Sequence, residues 1–269
     1  MELSCGVKRR KLRIKSISAN STMIRQISLE VGVKLDLVIK PIAFIESCYR
    51  DRFAVPRQPL LVEDAWSLVK MLPSVQPELS LQGLEGYSHL WVIFGFHLNQ
   101  AETRFHAKVH PPRLGGESIG LFATRTPHRP NPLGLSLVKI KKITQNGVEV
   151  LGGDLADGTP VYDIKPYLPE IECISNAQGG WSAKVPDEKC PVRFESADLE
   201  AKVLAWGETV SDINIIRLIT QTLENDPRPL VYRETGKGYK EIHAFRLYNG
   251  DIHFRKVDGE FVVCNLFIS

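Results

Sequence analysis

Proline and glycine interrupt the chain between residues 41 and 170 so often that no long regular element can form there. The breaks fall at Pro56–Pro59, Pro111–Gly116, Pro127–Gly134 and Gly152–Pro160. Between them lie short apolar runs of strand character, Leu90–Phe96, Ile119–Ala123, Leu135–Ile143 and Val148–Leu151, and only Val62–Leu72 reads as a helix. Upstream, Leu35, Leu37 and Ile39 alternate with Asp36, Val38 and Lys40, which predicts a strand leading through Pro41 into Ile42–Ile45. Strands and helices do not alternate as a doubly wound parallel sheet requires. The expectation is a mainly β chain whose residues 33–172 form a barrel-like domain.

Beyond Pro169 the texture changes. A polar segment, Ser175–Lys189, precedes a helical stretch in which Ser211 is the expected N-cap of a helix through Asn225, with Ile215, Ile216, Ile219 and Leu223 on one face and Pro227 as the stop. Three strand runs follow, separated by Asn249-Gly250 and Asp258-Gly259, the dipeptides that best fit tight hairpins. Residues 173–269 are therefore expected to form a smaller α+β domain. Residues 1–32 form a basic tail with Lys8–Lys11 at its centre and no apolar core of a secretory signal, leaving a cytoplasmic or an organelle-targeted protein open.

The 269 residues, 43% hydrophobic and 24% charged, can build a sizeable core, which argues against disorder, collagen and coiled coil. Leu90–Phe96, the longest apolar run, is far short of the ~20 residues of a membrane-spanning helix. The five cysteines form no C-x-x-C pair and have no histidine at ligand spacing, so neither a disulfide framework nor a metal site is expected. The net charge of +3 hides two basic islands. Residues 1–35 hold eight Lys/Arg against two Glu, residues 104–142 hold eight against one, and the remaining 195 residues sum to −10. Local positive fields of this kind suit a polyanion such as tRNA, although a solvated charged face has the same composition.

Chemistry concentrates in a few segments. In Gly120–Ser136, three prolines stiffen a loop that carries Arg125, His128, Arg129 and Asn131, and preorganised polar groups are what a binding site needs. In Asp154–Pro169, Asp157-Gly158 makes a turn whose carboxylate serves either a ligand or an Asx-turn, with Lys165 and Tyr167 beyond it. Arg52–Pro59 is a second stiff loop with a cation and an amide. His89 and His97 flank a buried strand, where a histidine is more often a satisfied core residue than a catalyst. The glycine loop of dinucleotide folds, the P-loop, H-E-x-x-H and G-x-S-x-G are all missing.

Five strings in fixed order carry a resemblance: F-A-V-P-R-Q-P at 53–59, G-L-E-x-x-S-H-L-W at 83–91, P-P-R-L-G-G at 111–116, F-A-T-R-x-x-x-R-P-N-P-x-G-x-S at 122–136 and D-G-T-P-V-x-D-I-K-P-Y at 157–167, with D-P-R-P at 226–229. Together they resemble the TrmO (TsaA-type) tRNA N6-adenosine methyltransferases over about residues 37–260. The resemblance implies a non-Rossmann β-barrel enzyme, often a homodimer, that uses S-adenosylmethionine to methylate N6 of N6-threonylcarbamoyladenosine at position 37, in the tRNA anticodon stem-loop. By matching positions, it places cofactor contacts at Pro59, Leu60, Leu61, His97, Leu98, Arg125, Leu135, Asp154, Leu155, Ala156, Asp157 and Gly158. No metal is implied.

Methyl transfer from an activated sulfonium needs alignment rather than a nucleophilic side chain. On that basis Asn131 is the candidate acceptor for the N6–H, with Arg125 and Arg129 as candidate contacts to a carboxylate or phosphate. Arg104, Lys108, Arg113, Lys139, Lys141 and Lys142 are candidate phosphate contacts. Arg228, Tyr232, Arg233 and Tyr239 either stack on the anticodon loop or simply pack. The chain departs from the family pattern at Arg50-Asp51-Arg52, where lysine is common, and at Leu60-Leu61, where a glycine is frequent. The competing readings are a non-catalytic RNA-binding barrel and a small-molecule or scaffold module.

Overall fold

The computed structural model describes residues 37–99, 106–184, 189–229, 232–233 and 240–269. Its first half lays down β1 (Ala43–Ser47), β2 (Trp66–Met71), the one-turn α1 (Pro77–Ser80) and β3 (His89–Gly95). A two-residue ribbon follows, β4 (Lys108–Val109) with β5 (Ile119–Gly120), and then β6 (Leu133–Thr144), β7 (Gly147–Leu151) and β8 (Pro160–Pro166). Six of these strands close in the order β1-β2-β7-β6-β3-β8, every pair antiparallel. A barrel of so few strands has room inside only for side chains, and Ala43, Ile45, Val69, Leu90, Val92, Val138, Val148, Val150 and Val161 fill it.

Alternation fixes which residues point inward. β1 buries Ala43, Ile45 and Ser47 and exposes Phe44 and Glu46, and β2 buries Ser67, Val69 and Met71 between Leu68 and Lys70. β2 corrects the helix expected over Val62–Leu72. Its period-two pattern pairs on both edges, with β1 and with β7, and closing the barrel outweighs the local helical reading. The strand expected over Ile119–Ala123 shrinks to β5 and a 3-10 turn, Leu121–Ala123. Leu37–Lys40 pair with no strand, and the rest of the lead-in expected there lies outside the described residues.

Two glycines are required by close approach. A Cβ on Gly134 would lie 2.2 Å from the Phe94 ring across β3 and β6. At Gly147, where φ is +146°, it would lie 1.9 Å from the Val69 carbonyl.

The second half adds α2 (Pro169–Glu172), β9 (Val192–Phe194), α3 (Ala197–Val210), α4 (Ile215–Glu224), β10 (His243–Leu247), β11 (Gly250–Val257) and β12 (Glu260–Ile268). β10-β11-β12-β9 form one sheet, with β9 parallel to β12, and both expected hairpins are present. α3, capped by Ser196, and α4 pack against the inner face of this sheet through Val203, Trp206, Leu218, Ile219 and Leu223. The cap of α4 is Asn214, whose side chain accepts from the Arg217 N–H, and not Ser211, which instead ends α3. The helix expected from Ser211 through Asn225 is α4, which begins at Ile215, and α3 is a further helix before it, with Gly207 leaving room for the Ile215 side chain.

This second core also takes Cys48, Tyr49, Ala54, Val62 and Ala65 from the loop after β1, so that Ile39–Ser269 form one compact unit. Tyr49 is fully buried and its hydroxyl meets Thr222 Oγ1 at 3.1 Å. Burial pushes the Cys48 thiol up to about 12, which makes it an inert core residue, and the described cysteines are all free. Among the described residues, no helix is long and apolar enough to cross a membrane, and no cluster of His, Cys, Asp or Glu has the make-up of a metal site.

The substitution Gly134→Ala tests the tight barrel. It forces the Phe94 ring aside and should cost about 2 kcal/mol, lowering Tm by roughly 6 °C in thermal unfolding. An unchanged Tm would mean that the barrel has slack.

Candidate cofactor site at one end of the barrel

Four loops meet beyond the ends of β3, β6 and β7. β3 pairs with the start of β6 so that Ile93 opposes Leu135 and Gly95 opposes Leu133, and the Phe96 N–H donates to the Pro132 carbonyl at 2.9 Å. His97 and Leu98 therefore emerge beside Asn131. The loop before β2 joins the segment after β7 where the Leu60 N–H donates to the Gly152 carbonyl at 2.8 Å. Arg125 reaches that same loop, with its Nη1 donating to Gln58 Oε1 at 3.0 Å. His97 Nδ1 lies 3.3 Å from Thr159 Oγ1. Segments 58–61, 96–98, 125–136 and 152–159 thus form one connected set.

Leu60 explains one departure noted in the sequence. Its φ is +66°, in the left-handed region where glycine is favoured, and its side chain packs over Gly152 while remaining 44% exposed. A leucine held there costs on the order of 1 kcal/mol, and strain of this kind is characteristic of ligand-binding segments. Leu98 and Leu135 are also exposed, at 41% and 54%. Together these side chains give the end of the barrel an apolar character.

The polar groups are more constrained. Ser136, buried on β6, donates its hydroxyl to Asp154 Oδ1. Burial pushes the Asp154 carboxyl up to about 6, against the opposing pulls of that hydrogen bond and of the Arg125 charge. Burial also holds the His97 imidazole below its usual value, opposed by the carbonyl and charge of Asp157. Asp157 accepts from the Ser47 N–H at 2.9 Å through Oδ1 and from Arg50 Nη1 at 3.0 Å through Oδ2. Leu155 is fully buried, and its carbonyl accepts from Ser47 Oγ at 2.8 Å.

In the proline loop, Arg129 Nη1 donates to the Thr124 carbonyl at 2.8 Å and the guanidinium lies over Phe122, 5.7 Å from the ring centroid. It braces the loop across five residues. Asn131 is exposed, its carbonyl accepts from Leu133 N–H at 2.7 Å, and among the described residues its side chain has no hydrogen-bond partner.

The basic residues are spread more widely. Lys108 lies on β4, Arg113 donates to the Ser182 carbonyl, and Arg104 lies outside the described residues. Lys139, Lys141 and Lys142 lie four to seven positions beyond Leu135 on β6, roughly 13 to 23 Å along the strand. Lys141 is held by Glu149 and Asp212, so its charge is already compensated. In the C-terminal half Arg228 is buried, doubly bonded to Asp226 and stacked 5.0 Å from the Phe261 centroid, which is packing. Tyr232 lies against His243, Arg233 lies 3.6 Å from Asp226, and Tyr239 is outside the described residues.

With this geometry established, comparison with known proteins decides the family. The family model for the tRNA-methyltransferase O N-terminal domain matches residues 44–173, and that for the TrmO C-terminal domain matches residues 187–267. The chain belongs to the TrmO family. It is 39% identical over 230 residues to a tRNA (adenine(37)-N6)-methyltransferase of Escherichia coli, covering 82% of this chain and 94% of that one. A protein of the same description from Eikenella corrodens is 45% identical over 181 residues, 64% of this chain and 93% of the other. A crystal structure of TrmO from Pseudomonas aeruginosa superposes with a TM-score of 0.71 at 30% identity, covering 87% of this chain and 99% of that one. The TrmO barrel expected from the sequence is therefore the fold observed.

Gln58, Ser136 and Thr159 join this candidate site, and Ser47 and Arg50 brace its Asp157 turn from outside, although the sequence alone points to no role for them. Gln58 had a signal, since it sits with a cation in a proline-bounded loop, whereas the others act through contacts more than 15 positions away.

Asp154 yields a test with a defined sign. Because its folded pKa of about 6 lies above the usual 3.8, folding favours the protonated acid. The fold therefore loses up to about 3 kcal/mol as pH rises from 4 through 6. Asp154→Asn, which can still accept from Ser136, should have a higher Tm than the parent at pH 8 and a similar Tm at pH 4. An equal Tm at pH 8 would show that the carboxylate carries no such cost.

Proposed function

We propose that the protein transfers the methyl group of S-adenosylmethionine to N6 of an adenine in tRNA. The observation that carries this reading is the partly buried Asp154 carboxylate, within electrostatic reach of Arg125, at a barrel end lined by exposed leucines, in a chain of the TrmO family. The residues present fit the cofactor. Leu60, Leu98 and Leu135 supply apolar surface for an adenosine, Asp154 offers negative charge to a cation, and Arg125 offers a partner for a carboxylate. When bound, the cofactor supplies an electrophilic methyl group already activated by its sulfonium.

The protein's own residues have to align and dehydrate the reacting groups. The Asn131 side-chain oxygen accepts the N6–H and aims the nitrogen lone pair at the methyl carbon. Asn131 would hold N6 so that it could take the methyl group the cofactor would supply, and the N6 proton would leave to solvent. Arg129 holds the loop that carries Asn131, and through its remaining donors it is available to an anionic group of the substrate. Asp157 and Gly158, with Leu155 and Ala156, form the turn that borders the cofactor, and Pro59–Leu61 and His97 close its other sides.

The finer reading is that the adenine is N6-threonylcarbamoyladenosine at position 37, presented by the anticodon stem-loop. The working form is a homodimer, a reading supported by the exposed side chains of Leu133 and Phe122. Lys108, Lys139 and Lys142 are the phosphate contacts, and the enzyme works in the cytoplasm or in an organelle that holds tRNA. A non-catalytic RNA-binding barrel would have no use for Asp154, whose charge is costly to hold in this partly buried place.

Mass analysis of nucleosides from tRNA treated with the protein and methyl-deuterated cofactor tests this directly. A labelled N6-methyl-N6-threonylcarbamoyladenosine is expected. Asn131→Ala should lower the single-turnover rate about 100-fold while cofactor affinity is retained. Label on another nucleoside, or none, would refute the assignment, and full turnover by the variant would remove Asn131 from the mechanism.

A further inference from the structure

The turn at Asp157 is tied to the rest of the molecule from two directions, and one side chain joins them. From β1 and the loop after it, the Ile45 carbonyl accepts from Gly158 N–H at 2.8 Å and the Tyr49 carbonyl accepts from Asp157 N–H at 3.0 Å. From the other side comes Arg50. Its Nη1 donates to Asp157 Oδ2 at 3.0 Å and its Nε donates to the Tyr248 carbonyl at 3.2 Å. Tyr248 lies in the turn between β10 and β11, at φ +51°, with its N–H on the Cys48 carbonyl and its hydroxyl on Ser211 Oγ. That left-handed turn is thereby fixed to the end of α3, and Arg50 connects it to the turn that borders the barrel end.

We infer that Arg50 is a positioning residue that holds the Asp157 turn in its cofactor-binding geometry by anchoring it to the C-terminal sheet. The inference rests on reading that turn as part of the cofactor site. Arg50 touches neither cofactor nor tRNA in this account and acts through Asp157. The Arg50 and Asp157 side chains are 51% and 29% exposed. A pair so accessible to water contributes little to global stability, so its effect falls on the local geometry of the turn and not on Tm. Both bonds need the guanidinium fork, because Nε and Nη1 point to different acceptors. A lysine keeps the attraction to Asp157 and gives up the Tyr248 carbonyl.

The experiment compares Arg50→Gln, Arg50→Lys, Asp157→Asn and the Arg50→Gln/Asp157→Asn double variant in the full-length protein. The readouts are calorimetric Kd for S-adenosylhomocysteine, KM for cofactor and for tRNA, kcat and Tm. Arg50→Gln should weaken cofactor binding about fivefold, the scale of an exposed charge pair, with the lysine variant between it and the parent. kcat at saturating cofactor, the tRNA KM and Tm should not move. The double variant should be no weaker than the worse single one, because both changes break the same link. If Asp157→Asn weakens binding and Arg50→Gln does not, or if the two effects simply add, the positioning role is refuted while the cofactor turn stands. A change confined to the tRNA KM would make Arg50 an RNA contact and also refute it. If neither single variant alters cofactor affinity, the reading of the turn falls as well.

Discussion

The seam between β1 and the segment entering β8 carries the rest of the structure. Closing the barrel there takes only two paired positions, Ala43 with Val161 and Phe44 with Pro160. The chain continues the seam with backbone bonds between Ile45 and both Thr159 and Gly158, and with Ser47, whose N–H and hydroxyl reach Asp157 and Leu155. The hydrogen bonds that close the sheet are continuous with those that shape the turn at its end. Because Ser47 and Leu155 are buried, an opened seam would strand polar backbone groups away from water. The candidate site is rigid for the same reason that the barrel is closed.

A barrel of this kind can serve methyl transfer without a glycine-rich phosphate loop because the chemistry asks for alignment. Stiffness comes from three sources: prolines that limit the loop from Pro127 to Pro132, the close approach of Gly134 to Phe94, and the left-handed Leu60 clamped to Gly152. The electrostatics come from a carboxylate with a raised pKa next to an arginine, an arrangement costly for stability and common at functional sites. The C-terminal sheet is not a separate attachment to this machinery, since Tyr49 lies in its core and Arg50 bonds to its edge turn.

Much of this was legible in the sequence, and what was not has identifiable causes. The frequency of proline and glycine, and the short apolar runs Leu90–Phe96 and Leu135–Ile143, were enough to indicate a barrel, and Asn249-Gly250 and Asp258-Gly259 located the hairpins. Val62–Leu72 misled because Leu68, Val69 and Met71 suit a helix face as well as a strand, and only pairing with both β1 and β7 decides between them. α3 has a thin apolar face, with Val203, Trp206 and Gly207 as its buried residues, so its periodicity is weak, and Ser211, which ends it, reads as the cap of the helix that follows. In the site, Arg125 and the Asp154–Gly158 turn stood out by motif. The roles of Ser47, Arg50 and Ser136 depend on contacts across 18 to 198 positions of sequence, which no local pattern encodes.

The central claim is that one end of the barrel, built from four loops, is a preformed cradle for the cofactor. Amide hydrogen exchange on the protein with and without S-adenosylmethionine tests it most directly. Protection should rise in segments 58–61, 96–98, 125–136 and 152–159 together and leave the β11–β12 hairpin unchanged. Protection that appears elsewhere, or that reaches only one of the four segments, would contradict it.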